Sequence, residues 1–259
     1  MIEQNTLQQR SFNILLIGDN CIDTYLYGVV NRISPEAPVP IFEPRSTFTK
    51  EGMAGNVKNN LLNLGCVVDY RHGETSEKQR LIDQRSKQQL VRIDKDKISQ
   101  PITVDLIGTD YDAIVISDYN KGTISYESVS CLRKKFDGPI FIDTKKTDLK
   151  QFDGCFVKVN SDERAKSVTL PDPKWLIVTR GSKGAEYMEE TYSTKSVDVA
   201  DVTGAGDTFI SALVYNYLST GGNICQSIIF ANIAAGITVQ HQGVYAPTLK
   251  EITVCGTKD

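Results

Sequence analysis

A series of short apolar runs, each ending at a small or polar residue, constrains the fold of this 259-residue sequence more than any other feature. The runs are Ile14–Ile17, Ala113–Ile116, Pro139–Ile142, Phe156–Val159 and Trp175–Val178. Such runs are typical of parallel strands that are buried on both faces. Helical patterns separate several of them, at Ser125–Phe136, Thr208–Leu218 and Gln226–Val239. The order predicts an α/β fold with a doubly wound, mostly parallel sheet flanked by helices.

Two stretches do not fit this core pattern. Gly28–Phe48 is rich in Pro and β-branched residues, and Lys78–Asp94 loosely alternates polar with apolar residues. Both are interpreted as strands of a small β lid. We find no internal repeat or Pro/Gly-rich linker, so we expect a single domain over residues 1–259, with lid strands near 28–48 and 78–94.

Charge and composition exclude several classes of function. The formal net charge of -3 does not indicate a nucleic-acid-binding protein. The six cysteines form no CxxC pair and only His72 and His241 could join them, so a zinc site is not expected. The first ten residues lack an apolar leader, and the longest apolar stretch, Ser227–Val239, is too short to span a bilayer. We therefore expect a reduced, cytoplasmic protein whose partners are small molecules.

The strongest local signal is the run from Asp201 to Phe209, in which Gly204, Ala205, Gly206 and Asp207 precede an apolar helical pattern. Unpaired amides at a helix N-terminus favour anions, and small residues let the backbone approach a ligand closely. Such a turn could stabilise the charge on a transferring phosphoryl group, with Asp207 as the base that accepts a hydroxyl proton. The alternative is an ordinary helix cap with a tight glycine turn.

Two further segments suit a polyol and a metal ion. Gly52 and Asn56 begin a helical pattern and, with the carboxylate of Asp23, could bond sugar hydroxyls. Asn160-Ser161-Asp162-Glu163 directly follows a strand, where Glu163 could hold Mg²⁺ through water and Asn160 could meet phosphate. A surface-loop role for Asp23 and a simple helix-capping motif at Asn160 are the structural alternatives.

A fourth segment, Thr179 to Gly184, contains two glycines after another strand. Gly181 and Gly184 suit a turn beneath a nucleotide, although a hairpin connection would use the same residues. Taken together and in this order, the four segments resemble the ribokinase-like (phosphofructokinase-B type) carbohydrate kinases. The resemblance covers most of the chain.

Other segments resemble, within that family, the heptose 7-phosphate kinase domains of bifunctional ADP-heptose synthases. They are Gly18–Asp23, Arg32–Pro40, Gln88–Asp94 and Ser117–Gly122. The resemblance implies transfer of the ATP γ-phosphate to the anomeric hydroxyl of D-glycero-D-manno-heptose 7-phosphate, toward lipopolysaccharide. It implies ATP and Mg²⁺ as cofactors, and a homodimer formed through the lid as in related dimers.

The resemblance also implies roles for individual residues. The catalytic group comprises Asp207 as the base with Gly204, Ala205 and Gly206 in its anion-binding turn. The ATP and Mg²⁺ side comprises Asn160, Ser161, Asp162, Glu163, Thr179, Gly181, Gly184 and Asn232. The sugar side comprises Asp23, Gly52, Asn56, Asp118 and Lys121. Asp201 and Thr203 match positions that bind a monovalent cation such as K⁺ in some relatives, and a strand-end Asp also has a simple capping role.

Two departures from the family pattern leave alternatives open. Between Gly65 and Glu77 the sequence lacks the room for a strand–helix unit that relatives carry, which could expose a sheet edge or reshape the sugar pocket. Met53 stands where relatives usually have a second glycine. The alternatives are therefore a kinase for another sugar or nucleoside, and a non-catalytic ligand-binding relative.

Overall fold

The computed structural model describes residues 11–104, 108 and 110–257, so the expectation made for the first ten residues lies outside the described part of the chain. Within these ranges the chain forms one ten-stranded sheet and six α-helices. The strands are β1 (Asn13–Ile33), β2 (Pro40–Met53), β3 (Val67–Asp83), β4 (Gln89–Lys95), β5 (Ala113–Asp118), β6 (Ile140–Thr144), β7 (Phe156–Asn160), β8 (Leu176–Thr179), β9 (Ala185–Tyr187) and β10 (Glu190–Tyr192). The helices are α1 (Ala54–Asn63), α2 (Tyr126–Lys135), α3 (Ser161–Lys166), α4 (Ala205–Ser219), α5 (Ile224–Thr238) and α6 (Leu249–Gly256). None of the described helices is long and apolar enough to cross a membrane.

The centre of the sheet is parallel. Strands β3, β1, β5, β6, β7 and β8 lie side by side in that order, and each neighbouring pair runs in the same direction. Antiparallel strands flank this centre, with β4 beside β3, β9 and β10 beyond β8, and β2 against β1. The predicted α/β class with a doubly wound, mostly parallel sheet is confirmed. The predicted helices are present as α2, α4 and α5, and α4 begins at Ala205, about one turn earlier than predicted.

The core has two layers because successive strand residues point to opposite faces of the sheet. In β1, Ile14 and Leu16 pack with α1, α4, α5 and α6, whereas Leu15 and Ile17 pack on the face covered by α2. All four side chains have no exposed surface. Burial on both faces explains why these strand segments are uniformly apolar rather than alternating.

The lid strands are extensions of core strands, which the sequence analysis did not predict. β1 runs from the core to Ile33, and a register shift against β3 between Gly18 and Asn20 separates its core part from its lid part. The lid part pairs with β2 from Asn20 onward, and β3 continues into the lid to pair with β4. The lid therefore begins well before Gly28, because β3 has one extra residue at the shift and the pairing continues beyond it.

The short connection after α1 contains a strand but no helix. α1 ends at Asn63 and β3 begins at Val67, so one strand serves both the core and the lid. On the side of β3 away from β1, the part from Val67 to His72 has no strand partner within the described residues. The expected exposed edge is therefore present in this part of the chain. A segment near this edge is bonded to both neighbours: the amides of Ser99 and Ile102 donate to carbonyls of the loop after β5, and the hydroxyl of Ser99 accepts the amide of Glu74 in β3.

Candidate active site

The run that ends in Asp207 forms a tight turn into α4. Gly204 is the N-cap residue and has a φ of 82°, in the left-handed region that glycine adopts without strain. The amide of Ala205 donates to the carbonyl of Val202 at 3.3 Å. The amides of Gly206 and Asp207 have no acceptor among the described residues. The amides of Gly206 and Asp207 are therefore available to bind an anion, whereas the amide of Ala205 closes the turn.

Asp207 is held by one donor on each carboxylate oxygen. Nδ2 of Asn56 donates to Oδ2 at 2.7 Å, and the hydroxyl of Tyr119 donates to Oδ1 at 3.1 Å. The residue is 8% exposed. Burial raises the pKa of Asp207 to about 6, against the two hydrogen bonds and the charge of Lys158, which lower it. The carboxylate is thus ionised at neutral pH and basic enough to accept a proton.

A cavity of about 310 Å³ lies in front of Asp207. Two of its lining residues, Asp143 at the end of β6 and Lys158 in β7, form a buried ion pair with 2.8 Å between Oδ2 and Nζ. The side chain of Lys158 is 6% exposed. Burial opposes the charge on Lys158, but the attraction of Asp143 outweighs it and raises the pKa of the ammonium group. A fixed positive charge therefore lies beside the carboxylate.

Lys158 also lies against the turn before α4. A Cβ built on Gly206 would lie 2.9 Å from Nζ of Lys158, so glycine leaves room for the ammonium group beside the available amides. The sequence analysis did not single out Lys158 or Asp143. The signal was present, since each is a charged residue near the carboxyl end of an otherwise apolar parallel strand, where ligands bind in open sheets.

Asn160 and Glu163 line the same cavity and form a capping box at the start of α3. Asn160 Oδ1 accepts the amide of Glu163, and Glu163 Oε2 accepts the amide of Asn160, both at 2.8 Å. The other carboxylate oxygen of Glu163 lies 3.4 Å from Nζ of Lys145. The capping alternative thus describes the local geometry, and the box also fixes Glu163 at the cavity wall. Ser161 and Asp162 are exposed and line neither cavity described here.

A second cavity, of about 450 Å³, adjoins the first and shares Val202 and Gly206 with it. Its wall contains Thr179, Gly181, Gly184 and Asn232, which the sequence analysis assigned to ATP, with Val199, Phe209, Gly236 and Val239. Apolar walls with a few polar groups in a volume of this size suit a flat aromatic ring such as adenine. Within the described part of the chain, the predicted ATP-binding residues therefore line two adjoining cavities, except Ser161 and Asp162, which line neither.

Two of these residues also have clear structural contacts. A Cβ on Gly184, whose φ is 85°, would lie 2.0 Å from the carbonyl oxygen of Tyr192, so the turn requires glycine whether or not a nucleotide binds. Nδ2 of Asn232 donates to that same carbonyl at 2.7 Å. Both residues join β10 to the wall of the second cavity.

The predicted sugar residues divide into two groups. Asn56 contacts Asp207 directly. Asp23 lies in the lid part of β1, where Nη1 of Arg80 bonds its carboxylate at 2.5 Å. A Cβ on Gly52 would lie 2.2 Å from the carboxylate of Asp23, so glycine leaves room for that carboxylate beside β2. Asp23 and Gly52 therefore form a unit on the lid, separate from the lining of the Asp207 cavity.

Asp118 and Lys121 are engaged within the protein. The buried carboxylate of Asp118 accepts the hydroxyl of Thr144 at 2.7 Å and lies 3.1 Å from Nζ of Lys146. Lys121 forms an ion pair with Asp96. Both side chains are thus bonded within the protein. Asp118 lines the Asp207 cavity, whereas Lys121 lines neither cavity described here.

The positions expected to bind a monovalent cation tie the turn to a neighbouring loop. Oδ1 of Asp201 accepts the amide of Thr203 at 2.9 Å and its hydroxyl at 2.7 Å. Oδ2 accepts the amide of Gly243 at 2.9 Å. This is the local capping role that was the alternative to cation binding.

Met53 occupies a backbone conformation that favours glycine. It precedes α1 with a φ of 51° and a ψ of -129°. Met53→Ala and Met53→Gly both remove the buried side chain, but only Ala keeps a Cβ at positive φ. We expect the Gly variant to be more stable than the Ala variant by about 1–2 kcal/mol, because strain of this kind costs about 1–3 kcal/mol. Urea denaturation of both variants measures the difference, and an Ala variant as stable as the Gly variant would exclude strain at this position.

Known proteins resemble this chain in sequence and in fold. Residues 155–251 match the model of the pfkB family carbohydrate kinases. Over 298 aligned residues the chain is 32% identical to the bifunctional protein HldE of a Nitratiruptor species, in an alignment that covers 92% of the chain. The chain is therefore similar to pfkB family carbohydrate kinases over residues 155–251, and to HldE over most of its own length. It spans 64% of the length of the Nitratiruptor protein, and likewise 64% of HldE from Haemophilus influenzae (strain PittEE), with 29% identity over 96% of the chain.

Solved structures of pfkB-type and ribokinase-like proteins share the fold. Thermotoga maritima ribokinase superposes with a TM-score of 0.69 at 18% identity, covering 95% of this chain and 100% of that one. Arabidopsis thaliana ribokinase, solved with ribose and ATP, gives 0.70 at 14% identity and covers 96% and 100%. The fold is therefore ribokinase-like.

The alignment with the Nitratiruptor HldE is longer than this whole chain, so it includes positions that have no counterpart here.

Proposed function

We propose that this chain transfers the terminal phosphate of ATP to the anomeric hydroxyl of D-glycero-D-manno-heptose 7-phosphate, a step toward ADP-heptose and lipopolysaccharide. The observation that carries the kinase assignment is the buried carboxylate of Asp207 at the mouth of α4, beside two available amides and the ammonium group of Lys158. The heptose assignment rests on the resemblance of four sequence segments to the heptose 7-phosphate kinases. Since such a reaction uses ATP, we assign it to the cytoplasm.

In the proposed reaction, the acceptor oxygen bonds to the γ-phosphorus while the bond from that phosphorus to the β–γ bridging oxygen breaks, and ADP leaves. Asp207 accepts the hydroxyl proton. The amides of Gly206 and Asp207 and the charge of Lys158 stabilise the negative charge on the transferring group. Asn56 holds the carboxylate in the orientation that this transfer needs.

The wall of the Asp207 cavity fits a magnesium ion bound with ATP. Mg²⁺ usually contacts only one or two carboxylates and keeps several waters. Glu163 and Asp143 supply carboxylates at the cavity, and the capping box holds Glu163 in place. The ion would neutralise charge on the phosphates. We assign ATP itself to the second cavity, with Thr179, Gly181 and Asn232 in its wall.

The acceptor is tested by release of ADP from purified protein with ATP and Mg²⁺. The panel contains D-glycero-D-manno-heptose 7-phosphate, other sugar phosphates, free sugars and nucleosides, each in KCl and in choline chloride. We expect the heptose phosphate to give the highest kcat/KM. A higher value for another acceptor would support the alternative that Met53 and the short connection before β3 favour. Binding of ATP without turnover of any acceptor would instead indicate a non-catalytic relative.

The dependence of kcat on pH tests the ionisation of Asp207. Its pKa is raised from 3.8 to about 6, so the basic form is lost at a higher pH than for an ordinary aspartate. We expect kcat to be level above pH 7 and to fall about tenfold per unit below pH 6. The measurement is kcat at saturating substrates between pH 5 and 8.5, with ATP affinity measured at each pH as the control. A constant kcat down to pH 5 would contradict Asp207 as the base.

We also propose a homodimer formed through the lid, as the family resemblance implies. Exposed apolar side chains on the lid strands, including Phe48, Val91 and Ile93, support this assembly. Sedimentation of the purified protein gives the oligomeric state directly.

A further inference from the structure

Asp207 has a second partner on the loop after β5, in addition to Asn56. The hydroxyl of Tyr119 donates to Oδ1 at 3.1 Å, and Tyr119 lines the Asp207 cavity. Each oxygen of the carboxylate therefore accepts one hydrogen bond, Oδ2 from Asn56 and Oδ1 from Tyr119. A carboxylate oxygen can accept more than one hydrogen bond, so Oδ1 still has capacity for an acceptor hydroxyl.

The backbone of this loop is anchored by a buried carboxylate. Asp19 in β1 is 1% exposed, and its oxygens accept the amides of Tyr119 at 2.8 Å, Lys121 at 3.0 Å and Thr123 at 3.3 Å. Three hydrogen bonds to one buried carboxylate hold the backbone of this loop. The backbone of Tyr119 is therefore tied to the core of the sheet.

The ring of Tyr119 also contacts the metal side of the cavity. Nζ of Lys145 lies 5.1 Å from the ring centroid and 3.4 Å from the carboxylate of Glu163. Tyr119 thus stands between the base and the residues expected to face Mg²⁺ and phosphate.

We propose that Tyr119 is a positioning residue, which fixes the orientation of the Asp207 carboxylate through its hydroxyl and stabilises the charged form by that hydrogen bond. The inference rests on the proposed function in naming Asp207 as the base. Charged or polar groups reach Asp207 from four elements: Asn56 from α1, Tyr119 from the loop after β5, Asp143 from β6 and Lys158 from β7. Of the two hydrogen-bond donors, Tyr119 is the one that also lines the cavity.

The test compares Tyr119→Phe with Tyr126→Phe. Tyr126 lies in the same region, against Phe152 and under Lys146, but makes no contact with Asp207. In protein labelled with ¹³C at aspartate carboxyl groups, the Asp207 signal is identified as the one missing from Asp207→Asn. We expect the Asp207 midpoint to move up by about one pH unit in Tyr119→Phe, because a hydrogen bond to the charged form is lost. Tyr126→Phe should titrate as the wild type does.

Kinetics give a second readout that loss of packing alone would not produce. We expect kcat of Tyr119→Phe to be about tenfold below wild type at pH 5 and close to the wild-type value at pH 8.5, as a shift of about one unit requires. An unchanged Asp207 titration in Tyr119→Phe, or an equal loss of kcat at every pH, would overturn the inference. If the wild-type protein turned over no acceptor, the proposed function would fail, while the titration would still decide the role of Tyr119.

Discussion

Asp207→Asn is expected to lower kcat by about 10²–10⁴-fold, the range typical of a lost general base. Asn has nearly the same shape as Asp, and its side-chain oxygen can still accept from Nδ2 of Asn56. ATP affinity should therefore remain within about twofold, because the carboxylate does not contact the second cavity. The measurements are single-turnover phosphoryl transfer and ATP binding by calorimetry.

The same variant has a stability signature that separates a lost base from a damaged fold. The pKa of Asp207 is higher in the folded protein than its ordinary value of 3.8, so the ionised carboxylate destabilises the fold above about pH 6 and not below about pH 4. Since one pH unit corresponds to about 1.4 kcal/mol, Asp207→Asn should be more stable than wild type by on the order of 2–3 kcal/mol at pH 8. The gain should vanish near pH 4. Retention of more than a tenth of the activity would exclude Asp207 as the base, and a loss of stability at pH 8 would exclude the burial argument.

Lys158→Met is expected to reduce both activity and stability. The variant removes the positive charge beside the available amides, and we expect kcat to fall by about 10²–10³-fold, as when one stabilising group of a transition state is lost. It also leaves Asp143 buried without its partner, which should cost roughly 3–5 kcal/mol of unfolding free energy. Denaturation and phosphoryl-transfer rates measure the two effects separately.

Two matched variants separate the effect of Lys158 on stability from its effect on activity. Lys145→Met removes a lysine from the same cavity, but its side chain is 50% exposed and its contact with Glu163 is 3.4 Å, so we expect a loss of stability of about 1 kcal/mol or less. The double variant Lys158→Met with Asp143→Asn removes the unpaired charge, and we expect it to recover stability without recovering activity. Recovery of activity in the double variant would mean that Lys158 serves the fold and not the reaction.

The fold was predictable because its signal is local. The runs at Ile14–Ile17 and Ala113–Ile116 are apolar at every position because both faces of the central strands are covered, and that pattern can be read without knowing what covers them. The extent of the lid was not predictable in the same way. The shift between Gly18 and Asn20 depends on the pairing of β1 with β3, which a reading of one segment at a time does not include.

The candidate site also combines a local sequence signal with contacts between distant segments. The turn at Gly204–Asp207 was found from adjacent residues, and its catalytic role stays a prediction. The hydrogen bond from Asn56 joins residues 151 positions apart, and the Tyr119 bond spans 88 positions. The position of Lys158 in an apolar strand is a weak sequence signal, and its contacts with Asp143 and Gly206 are visible only in the folded protein. Contacts of this kind depend on the whole sheet being assembled.

The continuity of β1 and β3 determines how force passes between the two parts of the molecule. The two strands are hydrogen-bonded to each other on both sides of the shift at Gly18–Asn20, so the core and the lid share one continuous strand pair. A tilt of the lid would therefore bend this strand pair. Asp19 lies at the shift in β1 and bonds the amide of Tyr119, so such a bend would change the position of the Tyr119 loop and, through the Tyr119 hydroxyl, the orientation of Asp207.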